Sequence, residues 1–149
     1  IRILRYDDFR KPPVQYAYQI DPVVSQPDTP GHFIVNGVSD ILAVNDHELL
    51  VTERSFSSGQ QNSNIRVYLA EIKGAENIAS NPSLLQKPPA NPIRKRLLLN
   101  MDTMGIFINN VEGASFGPLL PNGKRSLIFV ADDNFSPNEK NQFLLFEID

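Results

Sequence analysis

Apolar and charged residues alternate at the start of the chain, in Ile1-Arg2-Ile3-Leu4-Arg5-Tyr6, and again in Val14-Gln15-Tyr16-Ala17-Tyr18-Gln19-Ile20. A period of two lays one side of each segment on a core, so these predict two adjacent strands joined by a polar turn. Residues 21–36 carry Pro22, Pro27, Pro30 and Gly31, too interrupted for any regular element beyond a short extension at 33–35. Residues 37–56 then predict a β-hairpin turning at Asn45-Asp46-His47-Glu48, and residues 110–135 a second one turning at Pro121-Asn122-Gly123-Lys124. Asn-Gly readily takes the positive φ that a tight turn needs. In a hairpin the start of the first strand lies beside the end of the second. Ser39 and Asp40 therefore come beside Glu53 and Arg54, and Glu112 comes beside Asp132, Asp133 and Asn134.

The two hairpins read as an internal repeat. Leu49-Leu50-Val51-Thr52-Glu53-Arg54-Ser55-Phe56 matches Ile128-Phe129-Val130-Ala131-Asp132-Asp133-Asn134-Phe135 in its apolar run, its acidic end and its phenylalanine. Ile65-Arg66-Val67-Tyr68-Leu69-Ala70-Glu71-Ile72 supplies a third strand to the first unit, and Gln142-Phe143-Leu144-Leu145-Phe146-Glu147-Ile148 a third strand to the second. Arg94-Lys95-Arg96-Leu97-Leu98-Leu99 adds a fourth to the first unit, with the charged entry common in outer strands, and the basic clusters Arg94 to Arg96 and Lys124-Arg125 read as solvated outer or bottom faces. The Pro-rich excursion between them is expected to hold one short helical turn at 75–79. Residues 49–52 and 127–131 are nearly continuous in apolar side chains, the mark of a strand covered on both faces. Stacked four-stranded blades around an axis do this. The chain thus predicts an all-β fold, a β-propeller of antiparallel blades, with a two-sheet sandwich as the plainer competitor. Residues 1–21 end one blade, 37–99 form a complete one, and 110–149 form a last blade lacking its fourth strand.

Composition narrows the partners. With 149 residues the chain is long enough for one ordinary core, and 41% hydrophobic content suits a globular protein. No apolar run approaches the ~20 residues that cross a bilayer. A formal charge of -3 with scattered Lys and Arg makes no basic stripe, so neither nucleic acid nor membrane is an expected partner. The absence of cysteine removes disulfides, thiolate catalysis and Cys-based metal sites. The chain opens at Ile1 directly on strand-like residues, which reads as a cleaved or truncated piece of something longer, from which any targeting segment would be lost.

Gly37-Val38-Ser39-Asp40 with the run ending at Phe56, and Asn110-Val111-Glu112-Gly113 with Phe116-Gly117-Pro118, Ser126-Leu127 and Asp132-Asp133-Asn134-Phe135, resemble the C-terminal half of the phytase-like esterase family, named for esterase-like activity of phytase. Tyr16-Ala17-Tyr18-Gln19-Ile20-Asp21 and Gln142-Phe143-Leu144-Leu145-Phe146 fit the same family. The resemblance implies a propeller, hydrolysis of a small-molecule ester or phosphoester, and a divalent metal, calcium by analogy with related propellers. A periplasmic or extracellular location is expected. At about 40 residues per blade a full member is roughly twice this length. The chain is then a partial ring of two to three blades, with the remaining blades as its partners.

If the blades are radial, Asp40, Glu53, Glu112, Asp132 and Asp133 gather at the mouth of the axial channel, with Arg54 as the cation beside them. Clustered carboxylates repel one another unless a cation neutralises them, and calcium takes six to eight oxygens from such groups. Glu112 and Asp133, with Asn134 and Asp132, are the candidate metal ligands. Glu53 is the candidate base or further ligand, Arg54 a catalytic and substrate-binding cation, and Asp40 a substrate-binding group. The plainer alternative has Asp132, Asp133 and Asn134 building a turn and Glu53 and Arg54 pairing at the rim. Gly113-Ala114-Ser115-Phe116-Gly117 matches a nucleophile-elbow pattern, but no helix signal follows it, so Ser115 reads as a small residue within a strand. The leading expectation is a metal-bearing ester or phosphoester hydrolase. The alternatives are a non-catalytic binding or scaffold propeller and a sugar-lactone hydrolase.

Overall fold

Backbone hydrogen bonds sort the strands into three antiparallel sheets, in a computed structural model that describes residues 1–148. The last residue expected in the final blade, Asp149, lies outside them. β1 (Arg2–Arg5) pairs with β2 (Val14–Ala17). The middle sheet runs β3 (Ile34–Ala43), β4 (Glu48–Ser57), β5 (Asn64–Glu71), β6 (Arg94–Asn100) in chain order. The last sheet runs β7 (Val111–Phe116), β8 (Arg125–Ala131), β9 (Gln142–Ile148). The fold is all-β, and the three sheets remain separate rather than closing on one another.

Turn chemistry fixes both hairpins where the sequence puts them. Asn45 Oδ1 accepts from the amides of His47 and Glu48, closing the turn between β3 and β4. Gly123 takes φ +82°, which a side chain would resist, and its amide donates to the Leu120 carbonyl to close the turn before β8. Each hairpin carries a bulge at the matching place. Pairing slips between Val38 and Asp40 in β3 and between Val111 and Gly113 in β7, so Ser39 and Glu112 are the extra residues. A bulge re-aims the side chain it inserts. At Glu112 that frees a carboxylate from the period-two pattern of its strand.

Two apolar layers hold the sheets together. Ile3, Tyr18, Val51, Ala70, Ile72 and Ile93 fill the space between the first sheet and one face of the middle sheet. On its other face Leu50, Ile65 and Val67 pack with Val111, Leu127, Phe129 and Ala131 of the last sheet. Neighbours in β4, Leu50 and Val51, thus serve different layers, as a strand covered on both sides requires. The first strands of the two hairpins, β3 and β7, come into contact without pairing.

Two expectations are corrected. No helical turn forms at 75–79; the helical element among the described residues is a three-residue 3₁₀ turn, Met101–Thr103. Ile78 is buried and its amide donates to the Gln15 carbonyl, while Asn77 Oδ1 accepts from the amides of Gln15 and Ala79. Bonds to β2 replace the bonds a helical turn would make within itself. Arg94, Lys95 and Arg96 also do not form a uniformly solvated face, because Lys95 turns inward against two carboxylates.

The layers differ sharply in what truncation should cost. Phe129 is fully buried whereas Phe143, on the uncovered face of the last sheet, is 79% exposed. Phe129→Ala is expected to lower stability by about 3–5 kcal/mol and Phe143→Ala by no more than ~0.5 kcal/mol, both read from urea unfolding of the chain.

Candidate functional site

Alternation along β4 decides which acids and cations meet. Leu50, Thr52 and Arg54 face the last sheet, while Val51, Glu53 and Ser55 face the first sheet and the segment after β2. Arg54 Nη1 consequently meets Glu112 Oε1 of β7 at 3.3 Å, and both side chains keep solvent access, 32% for the arginine and 48% for the glutamate. Asp40 stands on the same seam, its Oδ2 accepting from the Ala114 amide of β7 at 2.6 Å. Arg54, Glu112 and Asp40 are therefore brought together where the two hairpins touch. Ser115, on β7, is exposed and donates locally to the Phe116 carbonyl.

Glu53 is sent the other way. It is 2% exposed and accepts from four donors: Tyr18 Oη at 2.8 Å, Lys95 Nζ at 2.6 Å, the Asp21 amide at 3.1 Å and Asn36 Nδ2 at 3.0 Å. Glu53 and Arg54 thus share neither a rim salt bridge nor a single site, because consecutive strand residues point to opposite faces. Lys95 also pairs with Asp21 at 2.8 Å and lies over the rings of Tyr18 and Tyr68, 4.9 and 4.2 Å from their centroids. Tyr68 Oη donates to Asp21 Oδ2 at 2.5 Å.

Asp21, Lys95, Tyr18 and Tyr68 complete this network, and the sequence marks them weakly. A tyrosine buried in a strand needs a partner for its hydroxyl, which points to Tyr18 and Tyr68. Nothing in Arg94-Lys95-Arg96 says which cation turns in. Burial raises the Tyr18 and Tyr68 phenols, and their bonds to Glu53 and Asp21 push the same way, Tyr68 to about 12. Burial works to raise the Asp21 carboxyl too, but bonds from Lys95 and Tyr68 outweigh it and hold it below its usual value.

The acids after β8 close a loop on themselves. Asp132 Oδ2 accepts from the Asn134 amide, and Asp133 accepts from the Phe135 amide on one oxygen and from Asn141 Nδ2 on the other. Asn134 Oδ1 accepts from Asn110 Nδ2, and Asn134 Nδ2 donates to Glu139. Asn110, Asn134 and Phe135 all adopt left-handed backbone, with φ of 43°, 49° and 56°, a conformation costly at a bulky residue. These side chains sustain the turn. Among the described residues no three carboxylates or imidazoles stand close enough to share a metal ion. With the Asp133 oxygens both engaged and Glu112 paired to Arg54, the residues present do not by themselves make a calcium cage.

The buried network should govern stability at both ends of the pH scale. Lys95→Ala, which strands the Glu53 carboxylate, is expected to cost about 3–5 kcal/mol. Because the Asp21 carboxyl is lowered, its contribution is whole above the ordinary carboxylate range and lost as pH falls through the lowered value. Because the Tyr68 phenol is raised, its contribution is whole below its ordinary value of 10.0 and lost as pH rises through about 12. Melting temperatures across pH should show Asp21→Asn flattening the acid limb and Tyr68→Phe the alkaline one.

No curated protein and no solved structure shows a significant match to this chain. The family model for Phytase-like proteins, described as esterase-like activity of phytase, matches residues 1–135. That span takes in both hairpins, the Arg54–Glu112 seam and the buried network at Glu53, and its family's description suggests an esterase-like hydrolase. Matched over most of its length, the chain belongs to the Phytase-like family.

Proposed function

We propose that this chain is part of a β-propeller that hydrolyses an ester or phosphoester at the seam between β3 and β7. The observation that carries the reading is the Arg54–Glu112 pair, one partner from each of two successive sheets, both open to solvent. A half-exposed carboxylate in contact with a guanidinium joins a proton acceptor to an oxyanion ligand, the two groups that hydrolysis needs. Glu112 takes the proton of the attacking water. Arg54 donates to the carbonyl or phosphoryl oxygen as negative charge builds on it. Water's oxygen then holds the acyl or phosphoryl group, the ester bond breaks, and the departing oxygen takes the proton from Glu112, which restores the base. Asp40, bonded to the Ala114 amide, steadies the bulged start of β7 that presents Glu112.

Ring architecture is supported by the two-faced burial of β4, by the adjacency of the two first strands, and by the bulges at matching places. Ile128 and Val130 of β8 with Phe143 and Leu145 of β9 leave an apolar face uncovered, Phe143 at 79% and Leu145 at 60% exposure. The free edge of β9 adjoins it. The remaining blades of the propeller are the proposed occupants of that face and edge. The proposal extends to a divalent cation only with further ligands from those blades.

A second reading, a binding or scaffold module, draws on the same pair: Arg54 and Glu112 neutralise one another, and the 132–135 loop spends its acceptors on itself. Hydrolysis of p-nitrophenyl acetate and p-nitrophenyl phosphate separates the two. Under the hydrolase reading Glu112→Gln lowers kcat/KM on both substrates by about 10²-fold or more, and Arg54→Gln harms the phosphate ester more than the acetate. Turnover unchanged in both variants removes the seam as the site, and no turnover by the parent chain on either substrate favours the module.

A further inference from the structure

At the turn end of the hairpins the middle and last sheets part to form a cleft of about 400 Å³. That volume falls within the ~300–1,000 Å³ of ligand-binding clefts. The cleft is distinct from the seam described above, because β8 enters it at Arg125 and leaves it for the acidic loop one strand length away, after Ala131. Its walls are Leu50, Leu69 and Leu99 of the middle sheet and Phe116, Leu127 and Phe146 of the last, with Leu98 half-exposed at the lip. Leu50 and Leu127 belong to the apolar layer between the two sheets, and Leu69, Leu99, Phe116 and Phe146 lie against it.

Charge at the mouth is unequal. Glu147 is taken up by Lys124 Nζ at 2.5 Å and Asn122 Nδ2 at 2.6 Å. Arg125, by contrast, lies over the Phe116 ring, 4.6 Å from its centroid, and among the described residues no carboxylate pairs with it. Stacking on Phe116 holds the guanidinium at the border between apolar wall and water, with its N–H groups still able to donate. An apolar interior whose rim carries a cation with no carboxylate partner among the described residues complements an amphiphile with one anionic head. A planar carboxylate fits the guanidinium's paired donors. A bulkier or doubly charged head would call for more than one cation.

We propose that this inter-sheet cleft binds a medium-chain fatty carboxylate, its hydrocarbon against Leu50, Leu99, Phe116 and Phe146 and its carboxylate on Arg125. The site goes beyond the hydrolase reading and stands without it. Calorimetric titration of decanoate into the full chain tests it, beside decanol, which carries the same hydrocarbon without the charge. Decanoate binds saturably and loses about 10-fold in affinity in Arg125→Gln, the scale of one charge-assisted hydrogen bond. Decanol binds more weakly and is indifferent to that exchange. Leu98→Glu, at an exposed lip position where folding is spared, removes binding of both. An absence of saturable decanoate binding, or an affinity that Arg125→Gln leaves unchanged, overturns the assignment. So does an equal loss for decanol in Arg125→Gln, since the arginine then acts on the fold and not on the head group.

Discussion

Everything in this protein turns on β4 being packed from both sides. A strand with a period of two that serves two apolar layers must give alternate side chains to different neighbours. Leu50 goes to the last sheet and Val51 to the first, and each is nearly inaccessible to water. The same alternation continues past the apolar stretch. Glu53 and Arg54, adjacent in the chain, therefore become members of two unrelated polar groups, and the register that secures the core also decides the chemistry at the end of the strand.

The two groups differ in kind, and magnitudes say how. Glu53 is buried with four donors around its carboxylate, so removing any of them leaves a charge that water cannot reach. A group so fully occupied has no lone pair to lend to a substrate. Arg54 and Glu112 meet at 3.3 Å with solvent on both, an arrangement worth only about 0–1 kcal/mol to the fold. Folding depends little on that contact, so another hydrogen-bonding group can displace it at small cost. The contact at the seam is exposed and weak, and the network behind it is buried and strong.

The same logic separates the two halves of the acidic repeat. Glu53-Arg54-Ser55-Phe56 and Asp132-Asp133-Asn134-Phe135 align by residue type, yet the first lies within a strand and the second leaves one. Once out of the ladder, Asp and Asn side chains satisfy the backbone amides of their own loop. Phe56 is partly covered beside Phe33, whereas Phe135 is fully exposed on left-handed backbone. Similar residues took different roles because one set kept β pairing and the other lost it.

Local chemistry was legible in the residues. Alternation located the strands, Asn-Gly and Asn-Asp located the turns, and the unbroken apolar runs announced strands covered on both faces, because each of these depends on a few neighbours along the chain. Hairpin geometry put Glu112 at the open end of its own hairpin, beside Asp132 and Asp133, but its contact with Arg54 of the other hairpin came from the packing of β3 against β7. Which cation turns inward at Arg94-Lys95-Arg96, and which polar group Glu53 and Arg54 each join, was decided only by tertiary structure. Lys95 is held by Asp21 and Glu53, 74 and 42 positions away along the chain. A side chain's face has no meaning until another sheet lies against it, and the sheets that give β4 its two sides come from opposite ends of the sequence.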